Sequence, residues 1–361
     1  MSCFAALAAS VDAAGLDRAV LVLDMARLRA NLAHLDAHLP QGYARRIADK
    51  SLPAPDLIAT AMQALGTARV MSFDLALTAR LLERFAKAEV LMGKPVPARA
   101  AAQFIATHPR ADRVIWLIDS AARAAEYAAL GPLRVAAEVD IGLGRGGFAA
   151  PGELAALQSP LHPVALMGYE AHVSGLPRAL SARAARDAMA RLAAFRAAAP
   201  WAGIINTGGS TTALGLPERG PANELTVGSA LLKPSDFDQE INRALRPALF
   251  IVTPVLRDVV HGVPGLPRLS AALRAARRIA PRIAFVHGGK WMARPIWPEG
   301  FGTSPFYGAS SNQQGFTHRG PAPARIVLRP TQSEAVIQGF STIHLFDEGQ
   351  ITGAWPVWPP A

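Results

Sequence analysis

Arg45-Arg46-Ile47-Ala48-Asp49-Lys50 is a short β-type run that ends on a lysine, and Pro53 and Pro55 then lead into a helical stretch at 56–65. The same alternation of a β-rich run with an Ala/Leu/Arg-rich helical run recurs along the chain, at 69–73, 89–92, 113–118, 133–139, 164–170, 203–206 and 225–232. With the run that ends at Lys50 these make eight strands, most of them separated by amphipathic helical segments. Strands that alternate with helices build parallel sheets from βαβ units, and eight such units predict an α/β fold closed as a TIM-type (β/α)8 barrel. After Pro234 the texture changes. β-like runs at 248–260, 282–286, 324–328 and 341–346 cluster with Gly, Pro, Trp and Asn between them and one helical insert at 269–279. Such clustering predicts a second, mostly antiparallel β domain. The expected division is a barrel over residues 19–234 and a C-terminal β domain over 235–361, to which residues 1–18 can add. The stretch 19–35 reads as a strand and helix that precede or cap the barrel.

The chain has 361 residues, 51% of them hydrophobic and 18% charged, with 30 Gly and 29 Pro, which excludes a disordered or collagen-like chain. Its single cysteine, Cys3, excludes an intramolecular disulfide and a Cys-rich metal cluster, and points to a reducing compartment. The N-terminal stretch MSCFAALAASVDAAGLD lacks a basic leader, and no run approaches the roughly 20 apolar residues of a membrane span. A soluble cytoplasmic protein is expected. The net charge of +10 is of the kind that nucleic-acid binders carry. Here the arginines are scattered along Ala-rich helical stretches such as 179–199 and 271–279, with no basic run interleaved with aromatics. Solvated helix faces and attraction for small anionic molecules follow, without a nucleic-acid or membrane partner.

Reactive groups of such a barrel collect at the C-terminal ends of its strands, where the βα loops converge on one open mouth. Lys50 ends the first strand, so its amine projects into that mouth and is available for a Schiff base. Asn206-Thr207-Gly208-Gly209-Ser210-Thr211-Thr212 follows the seventh strand. Its two glycines let the backbone approach an anion and its hydroxyls can donate to phosphate oxygens. Val227-Gly228-Ser229 closes the eighth strand and completes the cradle. Glu138-Val139-Asp140-Ile141-Gly142-Leu143-Gly144-Arg145-Gly146-Gly147 leaves the fifth strand on a flexible glycine-rich loop, from which Arg145 can reach a bound anion or an aromatic ring. Tyr169-Glu170-Ala171-His172 brings an aromatic ring and an imidazole to the same mouth from the sixth strand.

These motifs, in this order, resemble the alanine-racemase-type, fold-type III pyridoxal-phosphate enzymes, and within them the D-threonine aldolase and D-serine dehydratase branch. Val286-His287-Gly288-Gly289-Lys290 and the ending Asp347-Glu348-Gly349-Gln350 to Trp355-Pro356-Val357 extend the resemblance over 19–357. It implies a cofactor-binding barrel with a β domain, paired into a homodimer, and pyridoxal 5'-phosphate as the cofactor. Lys50 would hold that cofactor as an imine. Gly208, Gly209, Ser210 and Thr211, with Gly228 and Ser229, would bind its phosphate arm, and Asn206 is a further cofactor-binding residue. Arg145 would lie against the ring or its oxygens, with Tyr169 and His172 beside it. Lys50 and His172 are the candidate acid/base groups.

The sequence departs from that branch where zinc or manganese enzymes carry Pro-x-His-x-Cys or Pro-x-His-x-Asp. Here the stretch is Pro330-Thr331-Gln332-Ser333-Glu334, and the upstream segment is Ser311-Asn312-Gln313-Gln314-Gly315. Glutamine is a poor ligand beside imidazole and one carboxylate offers little affinity for zinc, so no metal residues are assigned. Gln332 and Glu334 are expected in the metal's place, with Glu334 as a base on the substrate hydroxyl or a partner for its ammonium. A magnesium ion on Glu334 and waters is the alternative. The expected activity is retro-aldol cleavage of a β-hydroxy D-amino acid to glycine or a small amino acid plus an aldehyde. Dehydration, racemisation and a degenerate pyridoxal-phosphate binder are the competing readings.

Overall fold

The computed structural model describes residues 3–360. The chain opens with helix α1 (Cys3–Ala13), strand β1 (Val20–Asp24) and helix α2 (Met25–His38). Eight parallel strands then close into a barrel: β2 (Ala44–Ala48), β3 (Arg69–Ser72), β4 (Glu89–Met92), β5 (Val114–Ile118), β6 (Arg134–Glu138), β7 (His162–Met167), β8 (Ile204–Thr207) and β9 (Glu224–Val227). β9 returns to pair with β2, Ile47 opposite Val227. Helices α3 (Pro55–Ala64), α4 (Leu75–Arg84), α5 (Ala98–Thr107) and α6 (Ala121–Ala128) follow β2 to β5, and α7 (Arg178–Ala198) follows β7. Several of these starts have a local cause. Pro55 enters α3 at its first turn, the Asp74 carboxylate caps α4 by accepting from the Ala76 and Leu77 amides, and Ser120 caps α6. Only short 3-10 turns, Pro151–Ala156 and Ala213–Gly215, stand in the crossovers after β6 and β8.

Strands such as Val-Ile-Trp-Leu-Ile in β5 are buried on both faces, as a barrel strand under helices must be. One end of the barrel is closed by charge. Arg46 is fully buried and donates to both Glu224 oxygens, from Nε at 2.7 Å and Nη2 at 3.0 Å. Arg46 also pairs with Glu89, Arg69 pairs with Glu224, and Arg134 with Glu89. Glu224, Glu89, Arg69 and Arg134 each begin their strands, so the network plugs the N-terminal end and ties β2, β3, β4, β6 and β9 together. Because every charge in it is paired, loss of one partner would strand another without its counter-ion. The C-terminal end is left for chemistry.

The second sheet has nine strands, built from β1 with β10 (Leu249–Val260), β11 (Arg282–His287), β12 (Ala293–Trp297), β13 (Gly302–Thr303), β14 (Gln313–His318), β15 (Arg325–Pro330), β16 (Thr342–Asp347) and β17 (Gln350–Pro356). All its pairings are antiparallel except β1 with β16. Helix α8 (Pro267–Ala275) is the insert between β10 and β11, and α9 (Ser333–Ile337) stands between β15 and β16. Leu7 and Val11 of α1 pack with Val20, Val22, Phe250, Val252 and Val327 in one apolar cluster of this sheet.

The boundary differs from the expected one at the N-terminus. β1, placed by sequence with the barrel over 19–234, pairs instead with β10 and β16 of the open sheet. Val-Leu-Val-Leu is buried throughout, and such a run carries no face preference that would say which sheet receives it. Residues 3–30, 232–236 and 246–357 form one compact unit, and 31–231, 237–245 and 358–360 the other. Among the described residues no helix is long and apolar enough to cross a membrane.

Candidate active site

The C-terminal ends of the barrel strands surround a cleft with about 680 Å³ of space, part of it open to solvent. That size suits a small ligand with one polar arm. Lys50 lines it, from a 3-10 turn (Asp49–Ser51) just past β2 and not from the strand itself. Its ammonium lies 4.7 Å from the centroid of the Phe73 ring, within cation–π range. Phe73 follows the end of β3 and keeps this place because residue 93 is glycine: a Cβ there would fall 2.5 Å from the ring. Beside the lysine, Asp49 is wholly buried, and burial pushes its carboxyl up to about 7 against weaker opposing contacts from the Ser72 side chain and the Lys50 amide. Neither of its oxygens makes a well-formed hydrogen bond.

The ends of β2 and β9 meet beneath the lysine. A Cβ at Gly228 would lie 2.9 Å from Ala48 Cβ and 3.1 Å from the Ala48 carbonyl oxygen, so the two strand ends approach closely only because that residue is glycine. Gly228→Ala is therefore expected to cost about 1 to 3 kcal/mol, measured as a fall in the urea midpoint, and to disturb the Lys50 turn. An unchanged midpoint would show that the contact yields. Ser51 and Ser229 hydroxyls share a hydrogen bond of 2.9 Å across the same junction.

The turn after β8 is a second wall. Gly208 takes φ +78°, a conformation that favours glycine. Ser210 Oγ accepts from the Gly228 and Ala230 amides at 3.2 and 3.0 Å, which joins this turn to the one after β9. A Cβ at Gly209 would fall 2.6 Å from the Tyr169 ring, so the ring lies directly on the turn. Burial, with the neighbouring Glu170 charge, raises the Tyr169 phenol above its ordinary pKa. Asn206 is fixed by donating to Glu224 Oε1 and Thr226 Oγ1, both at 2.9 Å.

The third wall is the loop after β6, and it is more ordered than its glycines predict. The Asp140 carboxylate accepts from the Gly142 and Gly144 amides at 2.9 and 3.0 Å, and these contacts, Gly144 foremost, hold its pKa below the usual range. Arg145 extends from this loop over Tyr169, its guanidinium 5.6 Å from the ring centroid, and donates to Glu138 Oε1 at 3.3 Å. Burial raises the Glu138 carboxyl, and Arg145 partly offsets it.

Lys50, Arg145, Tyr169, Asn206, Gly208, Gly209, Ser210, Gly228 and Ser229 thus line one cleft. His172 and Thr211 are not among the side chains that line it. His172 sits in the 3-10 turn Ala171–Val173 and packs on the Asp140 loop, where a Cβ at Gly142 would lie 3.1 Å from its Nε2. Gln332 and Glu334 belong to the other compact unit, Gln332 preceding α9 and donating to Asp236 Oδ2 at 3.2 Å, Glu334 in the first turn of α9. Among the described residues no three His, Cys, Asp or Glu side chains converge as a metal centre requires. Phe73, Gly93, Ser51 and Thr226 are lining residues that the motifs missed. All four stand at or just past strand ends, the one signal that could have found them. Phe237 also lines the cleft, and comes from beyond the last barrel strand with no motif to mark it.

The alanine racemase N-terminal domain family matches residues 23–236. Comparison with curated protein sequences gives no match. Among solved structures the chain is similar to D-threo-3-hydroxyaspartate dehydratase from Delftia sp. HT23, with 17% identity over 96% of this chain and 98% of that one and a TM-score of 0.74. It is similar to D-threonine aldolase from Filomicrobium marinum, with 16% identity over 93% and 94% of the two chains and a TM-score of 0.72. It is also similar to alanine racemase from Bacillus anthracis, with 13% identity over 94% and 98% and a TM-score of 0.67. At these identities the likeness is one of fold. The family match over more than half of the chain, on a barrel followed by an antiparallel sheet, shows that the chain belongs to the alanine racemase family, the fold-type III pyridoxal-phosphate enzymes.

Proposed function

We propose that the protein is a pyridoxal-phosphate-dependent lyase that cleaves β-hydroxy D-amino acids to glycine or a small amino acid plus an aldehyde. The observation that carries this reading is a lysine in a cleft at the strand ends, facing a glycine-hydroxyl turn suited to a phosphate. The residues fit the cofactor on three counts. Gly208, Gly209 and Gly228 line the cleft that Lys50 lines, where backbone can approach an anion. Ser210 and Ser229, both hydroxyl residues, line it as well. Lys50 supplies the primary amine that an aldehyde requires. Bound there, the cofactor would act as an electron sink for a bond broken at the substrate Cα.

The chain's own groups then divide the work. Lys50 would hold the cofactor's aldehyde carbon, and its amine is a group able to carry a proton. Ser210 and Ser229, with Thr211 on motif position alone, would bind the phosphate arm. Arg145 and Tyr169 form the wall against the ring, with Arg145 kept in place by Glu138. We assign Glu334 and Gln332 to the substrate hydroxyl on motif position alone, and Glu334→Gln assayed on the same substrates checks that role. We further propose a cytoplasmic homodimer, and sedimentation velocity tests the assembly.

The decisive experiment supplies the purified, cofactor-loaded protein with D-threonine, D-serine and the two enantiomers of alanine. Aldehyde release from D-threonine with glycine as co-product is the expected result. Keto acid with ammonia would instead identify a dehydratase, inverted enantiomer a racemase, and no turnover with any of them would end the lyase reading.

A further inference from the structure

Glu170 is a carboxylate only 2% exposed that the chemistry above does not use. It accepts from Thr207 Oγ1 at 2.6 Å, from Thr212 Oγ1 at 2.5 Å and from the Gly208 amide at 3.2 Å. These donors bracket the turn after β8 at both ends and at its left-handed glycine. Thr212 Oγ1 also accepts from the Gly209 amide at 3.1 Å, so its proton is directed to Glu170 and its lone pair to the glycine. The amides of Gly208 and Gly209 are therefore committed within the turn. Those of Ser210 and Thr211 make no hydrogen bond among the described residues. Thr211 Oγ1 is buried with only a loose approach to the Tyr169 phenol. Glu170 takes the Gly208 amide directly and, through Thr212, fixes the acceptor of the Gly209 amide, so the amides of Ser210 and Thr211 are the ones left without a partner inside the turn.

We infer that Glu170 is a positioning residue for phosphate recognition, which holds this turn in its anion-binding form and so sets the preference for a phosphorylated over an unphosphorylated pyridine aldehyde. The inference rests on the proposed cofactor reading. It also runs against simple electrostatics, because a buried negative charge near a phosphate repels it, and that opposition makes the role separable from a mere charge effect. Removing the charge in Glu170→Gln strengthens phosphate binding if repulsion dominates. It weakens phosphate binding if positioning dominates, because an amide cannot accept from every donor that the carboxylate serves.

The test titrates wild type and Glu170→Gln with pyridoxal 5'-phosphate and with pyridoxal, following tryptophan fluorescence and borohydride-fixed mass. Inorganic phosphate serves as a competing ligand. The expected result is a preference for the phosphorylated aldehyde reduced by about tenfold or more in the variant, pyridoxal affinity unchanged, and inorganic phosphate a weaker competitor. Thr212→Val should shift the preference the same way and Thr212→Ser should retain it, which keeps the test open if Glu170→Gln folds poorly. An unchanged or increased preference in Glu170→Gln, or an equal loss for both aldehydes, overturns the inference. Failure of the wild type to take up either aldehyde overturns the cofactor reading instead.

Discussion

Lys50→Ala is expected to abolish covalent capture of pyridoxal phosphate. Wild type treated with the cofactor and then borohydride should gain one reduced adduct on the peptide that carries residue 50, and the variant should gain none. Turnover should fall to background, since the amine that holds the aldehyde is gone and, among the described residues, no other lysine lines the cleft. Lys50→Arg separates this chemistry from packing. A guanidinium can keep the cation–π contact that places the side chain 4.7 Å from the Phe73 centroid, yet it offers no primary amine for an imine. Both variants should therefore lose the adduct, while Lys50→Arg should keep the thermal stability of the parent. An adduct that persists in either variant would place the covalent link elsewhere and end the assignment.

The pH dependence of stability should change when Asp49 is replaced by asparagine. Burial pushes the Asp49 carboxyl up to about 7 in the folded protein, from an ordinary 3.8. The nearby Asp74 charge adds to the rise, and the Ser72 side chain and the Lys50 amide and charge oppose it. Between those two values the unfolded chain has released the proton and the folded chain still holds it. Stability from this group is thus present below about pH 4 and declines as pH rises to about 7, by up to about 4 kcal/mol for a shift of this size. The asparagine side chain would mimic the protonated acid and not titrate. Urea midpoints should lie closest below about pH 4 and diverge toward pH 8, with Asp49→Asn the more stable protein there. Parallel curves would mean that Asp49 ionises in the fold at no cost. Because Asp49 opens the turn that carries Lys50, the same titration should show in the pH dependence of adduct formation, and Asp49→Asn should flatten it.

Much of the molecule is written in local patterns. The eight barrel strands follow from β-type runs spaced by amphipathic helices, because a parallel strand buried on both faces is mostly apolar and must be followed by a crossover. Lys50, the Gly208-Gly209-Ser210 turn and Gly228-Ser229 could be placed at one mouth from that count alone, since all strand ends of such a barrel point the same way. The weaker strands β12, β13, β14 and β17 carry no such pattern. They carry Arg, Pro, Gln and Gly, residues that take strand form only because a neighbouring edge pairs with them.

Residue order along the chain determined the alternation of elements, the closed barrel and the identity of the groups at its open end, because periodicity and turn chemistry act over a few residues. Tertiary structure alone decided that β1 joins the open sheet, that His172 packs on the Asp140 loop and does not line the cleft, and that Glu170 collects Thr207, Gly208 and Thr212 around one buried carboxylate. The strand pairing and the carboxylate cluster join residues from 37 to more than 200 positions apart, which no local pattern encodes.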